Sequence, residues 1–448
     1  MPCSLPVKPL QYKALRFPKG FLWGSAASAH QTEGGNHNDW SEWEKIPRKI
    51  KEGADSSVAC DHYNRYEEDF DLARQLGHQV HRLSVEWSRI EPKRGEWNER
   101  EIEHYRSVVK ALVDRGIRPM VTLHHFTNPI WFRDARAWLN PESPEMFAPY
   151  CRKIAAALSE YNVTWNIINE PMVVVASGYL FGGFPPEIKD YGKALTAAKH
   201  LLMAHGQAAT GIRDVYDDLG MRQPQIGPVL SVSYFQPYNP NNDADVELAR
   251  YLDELYNQMW LKGVMTATVP EPAGDGGHYE PLENSADFIG VNYYSRIRVS
   301  SELDFMAGQM PPKDPSLERC EGLDWEVYPA GYYHVIKSYW DRWKKPLFMT
   351  ENGIGALDDS LRCRYILMHL QQVHQAIQDG VDIQGYLVWS LTDNFEWAEG
   401  FSSHFGLIAV DYSTLSRKPR ESAHMFREII KRNEISRTLQ EKHLQRHP

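Results

Sequence analysis

The sequence predicts an α/β fold: a closed parallel barrel of eight strands and eight helices, (β/α)8, with extended loops after the strands. Three observations support this prediction. Short apolar runs alternate with amphipathic helical stretches along the 448 residues, which is typical of parallel strands buried on both faces. No long Ser-, Gly- or Pro-rich linker interrupts the chain, so residues 1–448 are predicted to form a single domain. No GxGxxG turn follows a predicted strand, which disfavours the alternative of an open doubly wound sheet.

The eight predicted strands are apolar runs of four to seven residues. Runs of this length, bounded by polar or turn-forming residues, indicate strands rather than helices. In chain order they are 21–27, 80–85, 117–123, 165–168, 226–231, 288–292, 347–350 and 384–390.

The helices between these strands show apolar residues at helical spacing. Two of them are followed by a glycine, Gly77 or Gly116, which is a common residue just beyond a helix end. In chain order the predicted helices are 66–76, 99–115, 145–161, 191–219, 244–262, 332–343, 360–379 and 421–432.

The composition excludes several classes of function. A net charge of −10 disfavours nucleic acid as a partner, because phosphate binding needs a concentrated positive surface. The five cysteines lack CxxC or Cys/His spacing, so neither a disulfide framework nor a zinc site is predicted. The chain has no apolar run of ~18 residues that could span a membrane and no signal-peptide core in residues 1–20, so a soluble cytoplasmic protein is expected. The 14 tryptophans favour a carbohydrate ligand, because indole rings stack on flat sugar faces.

Two glutamates directly follow predicted strands. Glu170 comes after the fourth strand and Glu351 after the seventh. In a parallel barrel these positions meet at one rim, where active sites lie. Two carboxylates at one rim are the minimum for acid-assisted cleavage of a glycosidic bond. Polar and aromatic residues also lie at or near the carboxyl ends of the other strands, whereas the opposite strand ends lack such a concentration. These residues are Gln31, Glu33, Arg82, Glu86, Trp87, His124, His125, Asn292, Tyr294, Trp389, Glu396 and Trp397.

Several motifs, in order along the chain, make the sequence resemble glycoside hydrolase family 1, the β-glucosidase and β-galactosidase type. The resemblance implies a TIM barrel and a retaining, exo-acting β-glycosidase that needs no cofactor or metal. The motifs are Phe21-Leu22-Trp23-Gly24, Gln31-Thr32-Glu33-Gly34, residues 82–89, Asn169-Glu170-Pro171, Asn292-Tyr293-Tyr294, Thr350-Glu351-Asn352-Gly353 and residues 393–397.

The resemblance also implies roles for individual residues. Glu351 would be the nucleophile, held by Arg82 and Tyr294, which both favour its ionised form and lower its pKa. Glu170 would be the acid/base, with a pKa raised by the neighbouring carboxylate and by partial burial. Asn169 would bind the 2-hydroxyl of the sugar. Trp325 would be the platform for the leaving group, and Asn292 a supporting residue. The remaining sugar-binding residues would be Gln31, His125, Trp389, Glu396 and Trp397.

Other residues in these stretches are expected to be structural. Trp23, Trp87 and Trp165 are expected in the core, and His124 in packing next to His125. Glu33 and Glu86 are expected behind the site rather than in contact with sugar.

The substrates implied are β-linked oligosaccharides or aryl and alkyl β-glycosides of glucose, galactose or fucose. Two alternatives use the same site: a 6-phospho-β-glycosidase and a transglycosylase. The acidic Glu396 disfavours the first, because its charge would repel a 6-phosphate. A carbohydrate-binding barrel without catalysis is disfavoured because Glu170 and Glu351 are both present. The sequence departs from the usual family pattern at residues 127–128 and at His404, where the family often has arginine, and this leaves the aglycone preference open. Whether the chain forms a homo-oligomer is also open.

Overall fold

The computed structural model describes residues 12–444 and shows a closed barrel of eight parallel strands. Each strand pairs with the next in chain order, and the eighth pairs with the first, with Leu22 opposite Gly385 and Ala26 opposite Trp389. The predicted barrel is therefore confirmed, whereas the single-domain organisation of residues 1–448 stays a prediction. The barrel strands are β1 Leu22–Ala26, β2 Val80–Ser84, β3 Arg118–His124, β4 Thr164–Asn169, β5 Ile226–Pro237, β6 Ile289–Val299, β7 Leu347–Asn352 and β8 Ile383–Trp389.

The long helices pack outside the barrel and begin at residues that favour helix starts. The side chains of Asn98, Asp190 and Asp358 each accept a hydrogen bond from a backbone N–H in the first turn of the following helix. These helices are α1 His62–Gln75, α2 Glu99–Asp114, α3 Ser143–Leu158, α4 Tyr191–Asp218, α5 Asp243–Leu252, α6 Pro329–Trp343, α7 Asp359–Gln378 and α8 Glu421–Arg432.

Smaller elements lie in the loops and near the termini. Two short antiparallel pairs join Leu15–Arg16 to Glu434–Ile435 and Ile408–Asp411 to Ser416–Pro419. The short helices are Ala29–Thr32, Asp39–Trp43, Trp87–Ile90, Ile130–Asp134, Pro171–Val173, Met259–Thr266 and Arg437–Leu444.

Large aromatic residues fill the core. Trp23, Trp87 and Trp165 are buried, as the sequence predicts. The strands approach one another closely at small residues: a Cβ atom on Gly24 would lie 1.8 Å from the carbonyl oxygen of Val80. Only glycine fits at this contact between β1 and β2.

Strands β5 and β6 are longer than predicted. They were expected to end at residues 231 and 292, but they remain paired as far as Pro237 and Val299. The reason is that the two segments support each other beyond the barrel, through pairs such as Tyr234 with Arg296. The result is a two-stranded extension that rises above the carboxyl end of the barrel on one side.

The predicted helix 244–262 is interrupted. The α5 helix ends at Leu252, a π-helical turn follows at Asp253–Gln258, and a second helix begins at Met259. The bulge brings the Asn257 side chain to the backbone of Ser233 in β5, with hydrogen bonds of 3.2 and 2.8 Å. The extra helical residue is therefore used to fasten the extended part of β5.

Within residues 12–444, no helix has the length and apolar character needed to cross a membrane. The four cysteines in this part of the chain are free and buried, whereas Cys3 lies outside the described residues. The predicted cytoplasmic location stays a prediction.

Candidate active site

The structure brings Glu170 and Glu351 into one cavity of about 660 Å³ at the carboxyl end of the barrel. Glu351 is the penultimate residue of β7, and Glu170 directly follows β4. Both side chains are buried, with 4% and 8% of their surface exposed. The Glu170 backbone is left-handed, with φ of 48°, and its N–H donates to the carbonyl of Val229 at 2.8 Å. This strained turn aims the Glu170 side chain into the cavity instead of along the strand.

Glu351 is fixed by a cation and a hydroxyl group. The Arg82 guanidinium donates to one carboxylate oxygen, and the Tyr294 hydroxyl donates to the other at 2.6 Å. Arg82 is completely buried and also donates to Asn169 Oδ1 at 2.6 Å and to Thr122 Oγ1 at 3.0 Å. Both oxygens of Glu351 therefore have donors that favour its ionised form.

Glu170 has a weaker set of partners. The Asn292 amide donates to its Oε1 at 2.8 Å and to Asn169 Oδ1 at 3.2 Å. The orientation of that amide is fixed, because its oxygen accepts from the Thr350 hydroxyl at 2.6 Å. Within the described part of the chain, no cation pairs with the Glu170 carboxylate.

These contacts favour the ionised form of the two carboxyl groups to different extents. Burial, followed by the negative charge of Glu351, raises the pKa of Glu170 from 4.5 to about 8, against the opposing hydrogen bond from Asn292. Burial also raises the pKa of Glu351, so the expectation of a lowered value is wrong in sign. The pKa of Glu351 is held down by Arg82 and Tyr294, and Glu170 has no such pair of contacts. Glu351 therefore keeps its charge to a lower pH than Glu170.

One end of the cavity combines parallel rings with hydrogen-bonding groups. His125 stacks between Trp389 and Trp397, with ring centroids 6.0 Å apart in each pair. Gln31 donates to Glu396 at 3.3 Å. Burial, followed by the charge of Glu351, raises the pKa of Glu396 to about 8. This end therefore offers flat surfaces together with donors and acceptors, the combination that suits a hexose ring.

The opposite end opens towards solvent beside Trp325. Its ring lies 5.2 Å from that of Tyr294 and lines the same cavity. Of the residues that the sequence predicts to touch substrate, those lining the cavity are Gln31, His125, Tyr294, Trp325, Trp389, Glu396 and Trp397. Arg82, Asn169 and Asn292 lie beneath them and connect the two glutamates. Asn169 also contacts His125 Nε2 at 3.2 Å.

The residues expected behind the site are found there. Glu33 accepts hydrogen bonds from Arg89 at 3.1 Å and Tyr105 at 2.7 Å. Glu86 accepts from Ser88 and Thr127. The ring of His124 contacts Asn128 at 3.1 Å and does not line the cavity.

Several residues that line the outer part of the cavity were not predicted from the sequence. Arg296 and Arg298 line it because β6 continues beyond the barrel. A usable signal was present, since residues 296–299 alternate polar and apolar side chains, which is the period of a β-strand. The missed residues are Phe184, Tyr256, Arg296, Arg298 and Lys313.

Gly353 allows β7 to approach the end of β8. A Cβ atom at this position would lie 1.9 Å from the carbonyl oxygen of Trp389. The glycine two residues after Glu351 therefore sets the spacing between that carboxylate and the Trp389 side of the cavity.

Among residues 12–444, no group of three or more His, Cys, Asp or Glu side chains is arranged to hold a metal ion.

A parallel barrel that brings two buried carboxyl groups into one cavity is the arrangement that O-glycosyl hydrolases need to cleave a glycosidic bond. Comparison with known proteins agrees, since the sequence model of glycosyl hydrolase family 1 matches residues 13–435. The chain belongs to glycosyl hydrolase family 1 and is an enzyme of the β-glucosidase type.

Characterised relatives resemble the chain over nearly its whole length. Beta-glucosidase A of Thermotoga maritima is 32% identical, covering 93% of this chain and 98% of the relative. The beta-galactosidase of Pyrococcus woesei is 30% identical, covering 95% and 99%.

Solved structures show the same similarity in three dimensions. The family 1 β-glucosidase from Thermotoga maritima superposes with a TM-score of 0.87 at 31% identity, covering 95% of this chain and all of the other. The beta-glycosidase from Pyrococcus horikoshii gives a TM-score of 0.85 at 36% identity, covering 96% and 98%.

Proposed function

We propose that the chain is a retaining exo-β-glycosidase that releases terminal, non-reducing β-D-glucosyl residues, and also β-D-galactosyl or β-D-fucosyl residues. The observation that carries the proposal is the unequal support of the two carboxyl groups. Arg82 and Tyr294 both favour the ionised form of Glu351, which is the form that a nucleophile requires. Glu170 has a pKa of about 8, as an acid that protonates a leaving group requires.

The reaction proceeds in two displacements. Glu351 attacks the anomeric carbon while Glu170 gives its proton to the departing oxygen, which leaves a covalent glycosyl-enzyme. The loss of negative charge at Glu351 lowers the pKa of Glu170 once the aglycone has left. Glu170 then removes a proton from water, which attacks the same face of the sugar and releases the β-anomer.

The surroundings of the pair stabilise the transition state. Arg82 and Asn292 hold the Asn169 oxygen, so one N–H of its amide is directed to His125 and the other is free for the sugar 2-hydroxyl. Such a bond strengthens as the oxocarbenium-like transition state forms. Trp389 and Trp397 provide flat faces for the ring, and Gln31 with Glu396 binds its outer hydroxyls.

The substrate is proposed to be a neutral glycoside, either a β-linked oligosaccharide or an aryl or alkyl β-glycoside. Repulsion by Glu396 is a weaker argument against a 6-phosphate than the sequence suggested, because a pKa of about 8 leaves this group mostly protonated at neutral pH. The stronger argument is the lack of a counter-charge. Within the described residues, Glu396 contacts Gln31 and forms no ion pair with a cation. Kinetics on glucosides with and without the 6-phosphate distinguish the two substrate classes.

The two glutamates can be tested separately by rescue with azide. In Glu351→Ala, azide enters from the face that the nucleophile has left, and it converts a 2,4-dinitrophenyl β-glucoside into the α-glucosyl azide. In Glu170→Ala, azide attacks the glycosyl-enzyme and gives the β-glucosyl azide. NMR spectra of the products read the two outcomes directly. Near-normal turnover by Glu351→Ala without azide, or the same azide anomer from both variants, refutes the assigned roles.

Retention of the anomeric configuration is checked on the unmodified enzyme. Proton NMR during the first minutes of hydrolysis is expected to show β-glucose before mutarotation produces the α-anomer. Transfer to an added alcohol would use the same intermediate, and product analysis at high acceptor concentration measures its share.

A further inference from the structure

The outer part of the cavity carries a concentration of positive charge in an otherwise acidic chain. Arg296, Arg298 and Lys313 all line it, although the net charge of the chain is −10. Arg296 and Arg298 are two residues apart on the extended part of β6, so their side chains leave the strand on the same face. We refer to these three residues as the basic wall.

Arg296 is largely satisfied by its neighbours. Its Nε donates to Glu326 at 2.7 Å and its Nη1 to Gln236 at 2.6 Å, and the guanidinium lies 4.2 Å from the centroid of the Tyr328 ring. Its Nη2 is buried without a hydrogen-bond partner, 3.6 Å from a carboxylate oxygen of Asp314. Arg296 therefore cancels most of the negative charge of Glu326 and leaves one donor unused.

Arg298 and Lys313 are less closely paired with carboxylates than Arg296 is. Arg298 donates to the carbonyl of Pro312 at 3.0 Å and lies over the Tyr238 ring at 4.6 Å. Across residues 12–444, neither Arg298 nor Lys313 forms an ion pair with a carboxylate. Asp314 lies close enough to Arg298, and Glu326 close enough to Lys313, for each cation to lower the pKa of that carboxyl group. Glu399, which also lines the cavity, is paired with Lys51 at 3.1 Å. The wall thus sets three cations beside two carboxylates, Glu326 and Asp314, and keeps a net positive charge.

The basic wall lies further out from the barrel than Tyr294, which contacts Glu351. Tyr294 contacts Glu351, and the strand from Tyr294 to Arg298 advances about 3.3 Å per residue, which places Arg296 about 7 Å and Arg298 about 13 Å further out. Trp325 borders the same end of the cavity. A group bound at the wall therefore belongs to the leaving part of the substrate and not to the sugar.

We propose that the enzyme prefers β-glycosides whose aglycone carries an anionic group, with Arg298 and Lys313 as the residues that recognise it. This inference rests on the proposed function and adds the chemistry of the leaving group. An aromatic aglycone would lie against Trp325 and Tyr294, and its acid would reach the wall. A carboxylate fits the fork of a guanidinium, and a partly desolvated charge pair is stronger than one in open water.

The test compares two substrates that differ in one charge, the β-D-glucosides of 4-hydroxycinnamic acid and of its methyl ester. The ratio of their kcat/KM values is expected to favour the acid about 5- to 20-fold at low ionic strength. Raising the salt concentration to 0.5 M is expected to reduce the ratio, because partly exposed charges are screened. In Arg298→Gln/Lys313→Gln the ratio is expected to fall to about 1.

A matched control is Arg319→Gln, which removes one charge from the same loop. Arg319 is exposed, pairs with Asp324 at 2.9 Å and does not line the cavity, so the ratio is expected to stay at the unmodified value. If Arg298→Gln only loosens the loop through Pro312, both substrates slow together and the ratio is unchanged, which overturns the proposal. Equal rates for acid and ester in the unmodified enzyme also overturn it. Failure to cleave either glucoside would instead contradict the proposed function.

Discussion

The floor and the wall of the cavity differ in how completely their polar groups are used. We define the floor as Arg82, Asn169, Asn292, Tyr294 and Glu351, which are joined by hydrogen bonds from one side chain to the next. The basic wall instead keeps donors without an acceptor on the chain. A floor whose side chains are linked by hydrogen bonds has one geometry before substrate arrives, which is what transition-state stabilisation requires. The wall has donors that can instead bind an acceptor on the substrate, which is what discrimination among aglycones requires.

The largest expected effect comes from the acid between these two regions. Glu170→Gln removes the proton donor but keeps its size, so cleavage of an alkyl glucoside is expected to fall about 10³- to 10⁴-fold. A 2,4-dinitrophenyl glucoside needs no proton and is expected to form its glycosyl-enzyme at a near-normal rate. The alkaline fall of kcat/KM for unactivated substrates, expected near pH 8 in the unmodified enzyme, should reflect Glu170.

A burst of dinitrophenol followed by slow turnover is the observation that checks the Glu170 prediction. Glu160→Gln, which removes a surface carboxylate paired with Arg106, is the control and is expected to behave normally. Equal losses on both substrates would show that residue 170 does not donate a proton.

A smaller effect is expected from loosening the floor. Tyr294→Phe removes one hydrogen bond to the charged nucleophile, so kcat is expected to fall about 10- to 100-fold. The pKa of Glu351 should rise, because the lost bond favoured its ionised form, and the acidic limb of the pH profile should move to higher pH. Tyr333→Phe, which removes a similar bond to Asp379 at 2.8 Å far from the cavity, is the control. An unchanged acidic limb in Tyr294→Phe contradicts this account.

The wall side should respond only to the aglycone. Trp325→Ala is expected to lower kcat/KM about 3- to 10-fold for cellobiose and aryl glucosides, because a stacking surface is lost. Methyl glucoside, which does not reach that surface, should be little affected. Trp340→Ala, on α6 and outside the cavity, serves as the control for general destabilisation. A uniform loss on all substrates would mean that Trp325 supports the floor rather than the leaving group.

The smallest effect concerns stability. An acid whose pKa rises on folding contributes stability that is present below about pH 4.5 and is lost as the pH rises through about 8. At pH 8 the buried Glu170 carboxyl group therefore destabilises the fold. Glu170→Gln removes this destabilisation, so its melting temperature should exceed that of the unmodified protein by about 2 °C or more at pH 8. At pH 4.5 the difference should be close to zero. Calorimetry at the two pH values measures it, and a difference independent of pH would contradict the raised pKa.

The barrel and its two glutamates could be predicted from local patterns in the sequence, whereas the other floor residues were expected from the resemblance to glycoside hydrolase family 1. Apolar runs located the eight strands, and parallel geometry then required Glu170 and Glu351 to share one rim. The basic wall was not predicted, because Arg298 faces the cavity only through the pairing of β5 with β6 beyond the barrel. The sign of the Glu351 pKa shift was also missed, since burial depends on the whole surrounding fold and no single motif reports it.

Gly353, whose side chain is a single hydrogen atom, lies where the segment after Glu351 contacts the end of the strand that bears Trp389. Any larger side chain would clash with the Trp389 carbonyl. The clash would push apart β7, which carries Glu351, and β8, which ends at Trp389. If position 353 were randomised and clones were selected for turnover, we expect glycine alone to return, even though this residue touches no substrate.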